Sequence, residues 1–176
     1  MAVILIKEDG TGLSDANAYA NAADGDSYFE GHLYASAWTA ASAANKDAAL
    51  VFATRIIDAE YQFYGYTTKA TQSLSWPRQR CPDPHTERGE DGFLPSDEVP
   101  KEVLQATCEM ARELLILDRT AAPLGEGLKY QNVGPDQTGY SKTDVRPIIS
   151  HVAQAMLAKF GVLIKSKSGS VALVRV

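Results

Sequence analysis

Aromatic and basic side chains are interleaved in the segment from Tyr61 to Arg80, which contains no acidic residue. Aromatic rings stack on nucleic-acid bases and basic groups pair with phosphates, so this composition is typical of a platform for single-stranded nucleic acid. Two other uses fit equally well. Phe63 and Trp76 could anchor the loop on the core, with the arginines paired to the acids that follow, or the segment could contact another protein. The candidate stacking residues are Tyr64, Tyr66, Lys69, Trp76, Arg78 and Arg80.

Metal-binding chemistry is poorly supported by the histidines and cysteines. Cys81 and His85 are four residues apart, but a structural zinc site needs about four such ligands, and Cys108 is the only other thiol. We therefore expect no metal and no cofactor, and we interpret His85 as a loop residue. Cys108 falls on the apolar side of a predicted helix and is expected to be a small core residue.

Catalytic signatures are also missing from the sequence. There is no Gly-x-Ser-x-Gly elbow that would mark a nucleophile. The glycines of Glu8–Gly12 are not followed by the Gly-Lys-Ser/Thr of a phosphate-binding loop, so they predict a plain turn. We expect a protein that is not an enzyme.

Charge is unevenly distributed along the chain. The 176 residues carry a net charge of −5, and residues 145–176 contribute five basic residues and no acid, so residues 1–144 carry −10. The sign of the charge also reverses within residues 1–144: Tyr61–Pro82 is basic, whereas Asp83–Glu102 has seven acids against two bases. The pattern predicts faces with different partners and argues against tight, non-specific binding of duplex DNA.

Apolar residues recur with the helical period in four segments, which predicts a mainly α fold built as a small four-helix domain. Pro100 suits the first position of one helix, Ser42 or Asn45 could cap another, and Gly161 is a plausible C-cap. Leu33 is expected on the apolar side of the first helix. The predicted helices cover residues 21–34, 45–61, 100–118 and 146–160.

The helical domain is predicted to span residues 1–161, with long loops at 62–96 and 123–142 and an arm at 162–176. A β-hairpin is possible across Gly134-Pro-Asp136, between Leu128–Val133 and Thr138–Lys142. The loops are rich in glycine and proline, which interrupt regular elements. Loops of this length are usually functional.

Both ends of the chain are expected to be extended. Residues 2–7 have the composition of a short strand, and residues 171–176 alternate as a strand does after a polar spacer at 167–170. This last strand could pair with Val3–Ile6, or it could add a strand to a neighbouring subunit or partner. No apolar run approaches the about 20 residues that span a bilayer, and the N-terminal segment lacks the features of a signal peptide, so we expect a cytoplasmic origin and no membrane contact.

Several short motifs occur in an order that resembles the head–tail connector, or adaptor, proteins of tailed bacteriophages, some of which are labelled DnaT-like single-stranded DNA-binding proteins. The Trp-Pro-Arg block is the most specific of these motifs. The resemblance covers about residues 8–140. Its pieces are Glu8–Gly12, Asn17-Ala-Tyr19, Ala49-Leu50, Ala53-Thr54, Ile57-Asp58, Gln72–Arg78, Val99–Val103 and Val133-Gly134.

The resemblance implies a virion protein of the phage neck, assembled in the host cytoplasm during head completion. It implies a homo-oligomeric ring of twelvefold symmetry between the portal protein and the tail-completion proteins, with double-stranded DNA passing through the lumen and no catalysis. The alternative that it carries is single-stranded DNA binding through segment 61–80. The candidate subunit or loop interface is Trp76, Pro77, Arg78 and Arg80.

The arm is assigned on physical grounds, because the resemblance does not extend to it. Its flexible spacer, strand-like end and positive charge suit a contact with the portal, since opposite charge orients an encounter. The candidate portal-binding residues are Lys165, Lys167, Val171, Leu173, Val174, Arg175 and Val176.

Overall fold

A computed structural model describes residues 3–85, 92–122, 130–133, 136–139 and 146–164. The fold is mainly helical, as the sequence predicts, with small antiparallel sheets of two strands each. Within the described residues, the helices are α1 (Ala22–Phe29), α2 (Ser36–Thr39), α3 (Ala43–Glu60), α4 (Lys101–Ile116) and α5 (His151–Leu157). The strands are β1 (Tyr61–Phe63), β2 (Tyr66–Thr67), β3 (Arg78–Gln79), β4 (Tyr130–Val133), β5 (Asp136–Gly139) and β6 (Gly161–Leu163).

The two long helices, α3 and α4, pack against each other and form the centre of the domain. The Ser42 hydroxyl accepts a hydrogen bond from the Asn45 N–H and so caps α3, one of the two caps that the sequence offered. Pro100 stands immediately before α4 and lacks the N–H that would be unpaired there. Cys108 is fully buried on α4, which confirms its prediction as a core residue.

The two shorter predicted helices end earlier than expected. α1 stops at Phe29, so Leu33 lies beyond it and is 91% exposed instead of buried. α5 covers only His151–Leu157 and ends on Ala158. Gly161 is therefore not its C-cap: it begins β6, where an added Cβ would come within 2.6 Å of the Gln62 carbonyl. Close approach of two strands is the physical reason for this glycine.

β6 joins the C-terminal part of the chain to the end of α3. It pairs antiparallel with β1, with Tyr61 opposite Leu163 and Gln62 opposite Val162. The first residues of the predicted arm are thus paired within the domain. The remainder of the arm, including every candidate portal-binding residue from Lys165 to Val176, lies outside the described residues.

The predicted β-hairpin is present as β4 and β5, with Val133 opposite Asp136. Within the described residues the second strand begins at Asp136, two residues earlier than expected, and residues 128–129 and 140–142 of the predicted hairpin lie outside the described part. Near the N-terminus, Lys7 forms a single parallel bridge with Ala18 in place of a regular strand. None of the helices in the described residues has the length and apolar composition that a membrane crossing requires.

Gly25 lets α1 approach the indole of Trp38. A Cβ at Gly25 would lie 2.3 Å from Cζ2 of Trp38, whereas a Cβ at Gly31 would meet nothing within 4 Å. We expect Gly25→Ala to lower the free energy of unfolding by about 1–3 kcal/mol, because overpacking outweighs the helix propensity of alanine. Gly31→Ala, the matched control, should change it by less than about 0.5 kcal/mol. Urea denaturation checks both, and equal stability of the two variants would contradict the packing.

Candidate functional site

Trp76 lies in the core and not on the surface of the loop. Its side chain is fully buried, and its ring meets those of Phe63 and Phe160 edge-on, with centroids 5.6 and 6.1 Å away. The prediction that Phe63 and Trp76 anchor the loop is therefore confirmed. An indole in this position has no face free to stack on a nucleic-acid base.

Arg78 holds the loop together through backbone carbonyls. Its Nε donates to the Tyr64 oxygen at 2.7 Å, and its two terminal nitrogens donate to the oxygens of Ser75 at 2.9 Å, Gly65 at 2.7 Å and Phe63 at 3.3 Å. The planar guanidinium offers several donors in a fixed geometry, which is why it can bridge two stretches of chain. Burial lowers the pKa of Arg78, but a guanidinium remains charged.

The partners of Arg78 correct one expectation. The loop arginines were expected to pair with the acidic residues that follow them, but Arg78 is bonded to carbonyls of its own loop. Carbonyl oxygens of short, poorly paired segments need donors when they are buried. Arg78 supplies these donors, so its guanidinium stabilises its own loop. Arg80, by contrast, is exposed.

Tyr19 and Asp58 connect this loop to the N-terminal segment and to α3. The Tyr19 hydroxyl donates to Asp58 Oδ1 and accepts from the Trp76 N–H at 3.3 Å, while Asp58 Oδ2 accepts from the Ser75 N–H at 3.0 Å. Burial raises the pKa of Asp58, against the lowering effect of its hydrogen bond from Tyr19. The sequence marked Tyr19 and Asp58 as motif residues but gave no sign that they meet.

The Glu8 side chain stabilises the Glu-Asp-Gly-Thr-Gly turn by accepting hydrogen bonds from its backbone. Its buried carboxylate accepts from the N–H groups of Gly10 at 3.0 Å, Gly12 at 2.8 Å and Leu13 at 3.0 Å. The backbone φ of Gly10 is +97°, a value that residues other than glycine rarely adopt. The turn is plain, as predicted, and its N–H groups are occupied by the chain's own carboxylate.

Four of the candidate stacking residues remain exposed at the surface of the loop. Tyr64 and Tyr66 are 41% and 65% exposed, and Lys69 and Arg80 are exposed as well. Gly65, between the two tyrosines, packs closely on the backbone of residues 79–81, since a Cβ there would lie 2.2 Å from the Gln79 oxygen. The tyrosines and Arg80 therefore lie in one hairpin.

The titratable groups of the described part offer little other chemistry. No group of three histidine, cysteine or acidic side chains there is arranged to hold a metal ion. Cys81 and Cys108 are buried free thiols, and burial raises the pKa of Cys108 to about 12, which leaves it protonated and unreactive at neutral pH.

Comparison with known proteins places the chain in a family. Residues 3–176 match the family described as "Putative DnaT-like ssDNA binding protein", and the chain belongs to this family. No curated protein and no solved structure matches the chain.

Arg78→Lys should destabilise the fold, because an ammonium group cannot reach the four carbonyls that the guanidinium holds. We expect a loss of about 1–2 kcal/mol in the free energy of unfolding, because three of these bonds are partly buried and a lysine cannot replace them. Arg80→Lys, the matched control at an exposed position, should stay within about 0.5 kcal/mol. Urea unfolding followed by the fluorescence of Trp38 and Trp76 measures both; an unchanged midpoint for Arg78→Lys would refute the role given to its guanidinium.

Proposed function

We propose that the protein is a structural subunit of a tailed-phage neck, a head–tail adaptor that assembles as a ring between the portal and the tail-completion proteins. The observation that carries the proposal is the burial of the Trp-Pro-Arg block. Trp76 is buried and Arg78 is bonded to backbone carbonyls, so both residues fix the fold and neither is available to stack on a base. Residues that define a scaffold in this way suit a subunit whose function is assembly.

The charge distribution is consistent with a conduit for double-stranded DNA. Residues 1–144 have a net charge of −10, although the whole chain has a net charge of −5. Most of the chain would therefore repel a duplex instead of gripping it. DNA that has to slide through a lumen needs a surface of this kind. The twelvefold symmetry remains an expectation from the resemblance.

The basic arm is proposed to contact the portal. Lys165, Lys167 and Arg175 supply its charge, and Val171–Val176 supplies a strand-like end. An extended segment can bind by adding a strand to a sheet edge, where the backbone gives affinity and the side chains give specificity. The charge would orient the approach more than it would strengthen the complex.

Single-stranded DNA binding is the second candidate, and two observations favour it. The family description names this activity, and the aromatic side chains of Tyr64 and Tyr66 and the basic side chains of Lys69 and Arg80 are each exposed. The burial of Trp76 weakens the candidate, because the largest stacking ring is removed from the set. What remains is a small surface that could as well contact a protein.

Deleting residues 166–176 tests the adaptor proposal. The truncated protein should retain its fold, since β6 ends at Leu163, but it should fail to join portal-bearing heads. Circular dichroism measures the fold, and electron microscopy of heads incubated with wild-type or truncated protein measures joining. A ring between portal and tail is expected for the wild type. Normal joining by the truncated protein would rule out the arm, and no ring with the wild type would rule out the adaptor.

We also propose that the basic segment Tyr61–Pro82 of one subunit meets the acidic segment Asp83–Glu102 of the next. This interface is best tested at Arg80. Arg78 is unsuitable, because changing it also breaks four bonds within its own loop. We expect Arg80→Glu to impair ring formation on heads while the melting temperature stays the same, with Arg80→Lys as the control. Rings formed equally by both variants would contradict this interface.

The DNA-binding candidate predicts that fluorescently labelled oligo(dT) is bound at low salt and released as salt rises. Tyr66→Ala should weaken binding by about 5- to 150-fold, since stacking contributes about 1–3 kcal/mol per base. Tyr34→Ala is the control, because Tyr34 is 77% exposed and lies in a different loop. Anisotropy of the oligonucleotide is the measurement, because both tryptophans are buried and would be poor reporters. No binding at low salt would dismiss this candidate.

A further inference from the structure

The loop between α1 and α2 presents two large apolar side chains to solvent. Leu33 is 91% exposed and Tyr34 is 77% exposed, and the two are adjacent in the chain. We refer to them as the tip. Single exposed apolar residues are ordinary, but neighbouring ones of this size are typical of a contact surface.

The tip is held in place by its surroundings. The His32 N–H donates to the Phe29 oxygen at 3.0 Å, the Tyr34 N–H donates to Nδ1 of His32 at 3.0 Å, and Arg112 reaches the Tyr34 oxygen at 3.5 Å. On its other side, Nε2 of His32 lies 3.4 Å from the buried carboxylate of Glu109. A surface fixed beforehand loses little entropy when it binds, so this loop is suited to docking.

A groove elsewhere on the domain offers an apolar surface to such side chains. It is an open depression of about 540 Å³ between the first turn of α4 and α5, with an apolar floor and charged ends. Val152, in this groove, is 49% exposed, so the floor is not covered within the described part of the chain. The lining residues are Glu102, His151, Val152, Ala155, Met156 and Lys159.

One pair of opposite charges accompanies the tip and the groove. Glu30, exposed and three residues before Leu33, brings a negative charge near the tip, and Lys159 lines the groove with a positive charge. Glu102, the acid that also lines the groove, lies 3.4 Å from His85 of its own chain. The loop contacts α4 at Glu109 and Arg112, whereas the groove begins at Glu102. Seven residues of helix separate Glu102 from Glu109, about 10 Å along the axis. The tip and the groove are therefore different surfaces of the domain, and each is available to a second copy of the chain.

We propose that the tip of one copy of this chain occupies the α4–α5 groove of the next copy. Two different surfaces then meet, which is a heterologous contact, and repeating such a contact with a closing rotation generates a ring. Leu33 and Tyr34 fill the apolar floor, and Glu30 pairs with Lys159. The inference rests on the proposed ring, for which it names a subunit contact in addition to the one tested at Arg80.

Two complementary variants test the contact on portal-bearing heads and with free protein at high concentration. Leu33→Asp disables the tip and Val152→Asp disables the groove, and each alone should abolish oligomers. Mixed together, they should form a one-to-one dimer, because one variant retains an intact groove and the other an intact tip. Ile4→Asp, at a position that is 80% exposed in the N-terminal segment, is the matched control and should assemble as wild type does.

A charge exchange provides a second measurement. Glu30→Lys and Lys159→Glu should each weaken assembly several-fold, and the double variant should restore it. Oligomers formed normally by Leu33→Asp, or a mixture that yields no dimer, would overturn the proposed contact, as would a wild type that forms no oligomer in either setting. A wild type that forms rings through this contact but does not join heads would leave the contact standing and remove the adaptor function.

Discussion

The partly buried guanidinium of Arg78 and the buried Tyr19–Asp58 pair form one polar network through Ser75, and the rest of the structure depends on it. Buried carbonyls and carboxylates are stable only when donors meet them. Arg78 satisfies four carbonyls of the loop, while Tyr19 and Ser75 satisfy Asp58 on α3. Since the strands between Tyr64 and Arg80 are only two residues long, this network takes the place of the regular hydrogen bonding that a longer element would provide.

The network also positions Trp76 beneath the loop. Its indole fills the space between Phe63, from β1, and Phe160, which precedes β6. The β1–β6 pair thus closes over an aromatic cluster, and the N-terminal segment, α3 and the last described strand meet there. Removing any member would expose the others to solvent or leave a cavity, and cavities in such cores cost several kcal/mol.

This arrangement bears on function because it separates the residues that hold the fold from those that can meet a partner. The sequence makes Trp76 and Arg78 candidate nucleic-acid ligands. In the structure, Trp76 is buried and Arg78 is bonded to the backbone of its own loop. Tyr66 and Arg80 on the loop, and Leu33 between α1 and α2, remain outside. Stable interfaces are built from exposed apolar and aromatic groups with a charged rim. The exposed groups, and not the buried ones, are therefore the candidates for contact with a partner.

The sequence by itself determined α3, α4 and the β4–β5 hairpin, because each is encoded by neighbouring residues: a helical apolar stripe, a cap, or a turn with glycine and proline. It also identified Trp76 as a possible core anchor and the Trp-Pro-Arg block as the most specific motif. Only the tertiary structure decided that Arg78 binds carbonyls, that Tyr19 meets Asp58, and that β6 pairs with β1. These contacts join residues from 39 to about 100 positions apart or depend on the path of an irregular loop. No local pattern encodes them, because their stability comes from burial that exists only once the domain has closed.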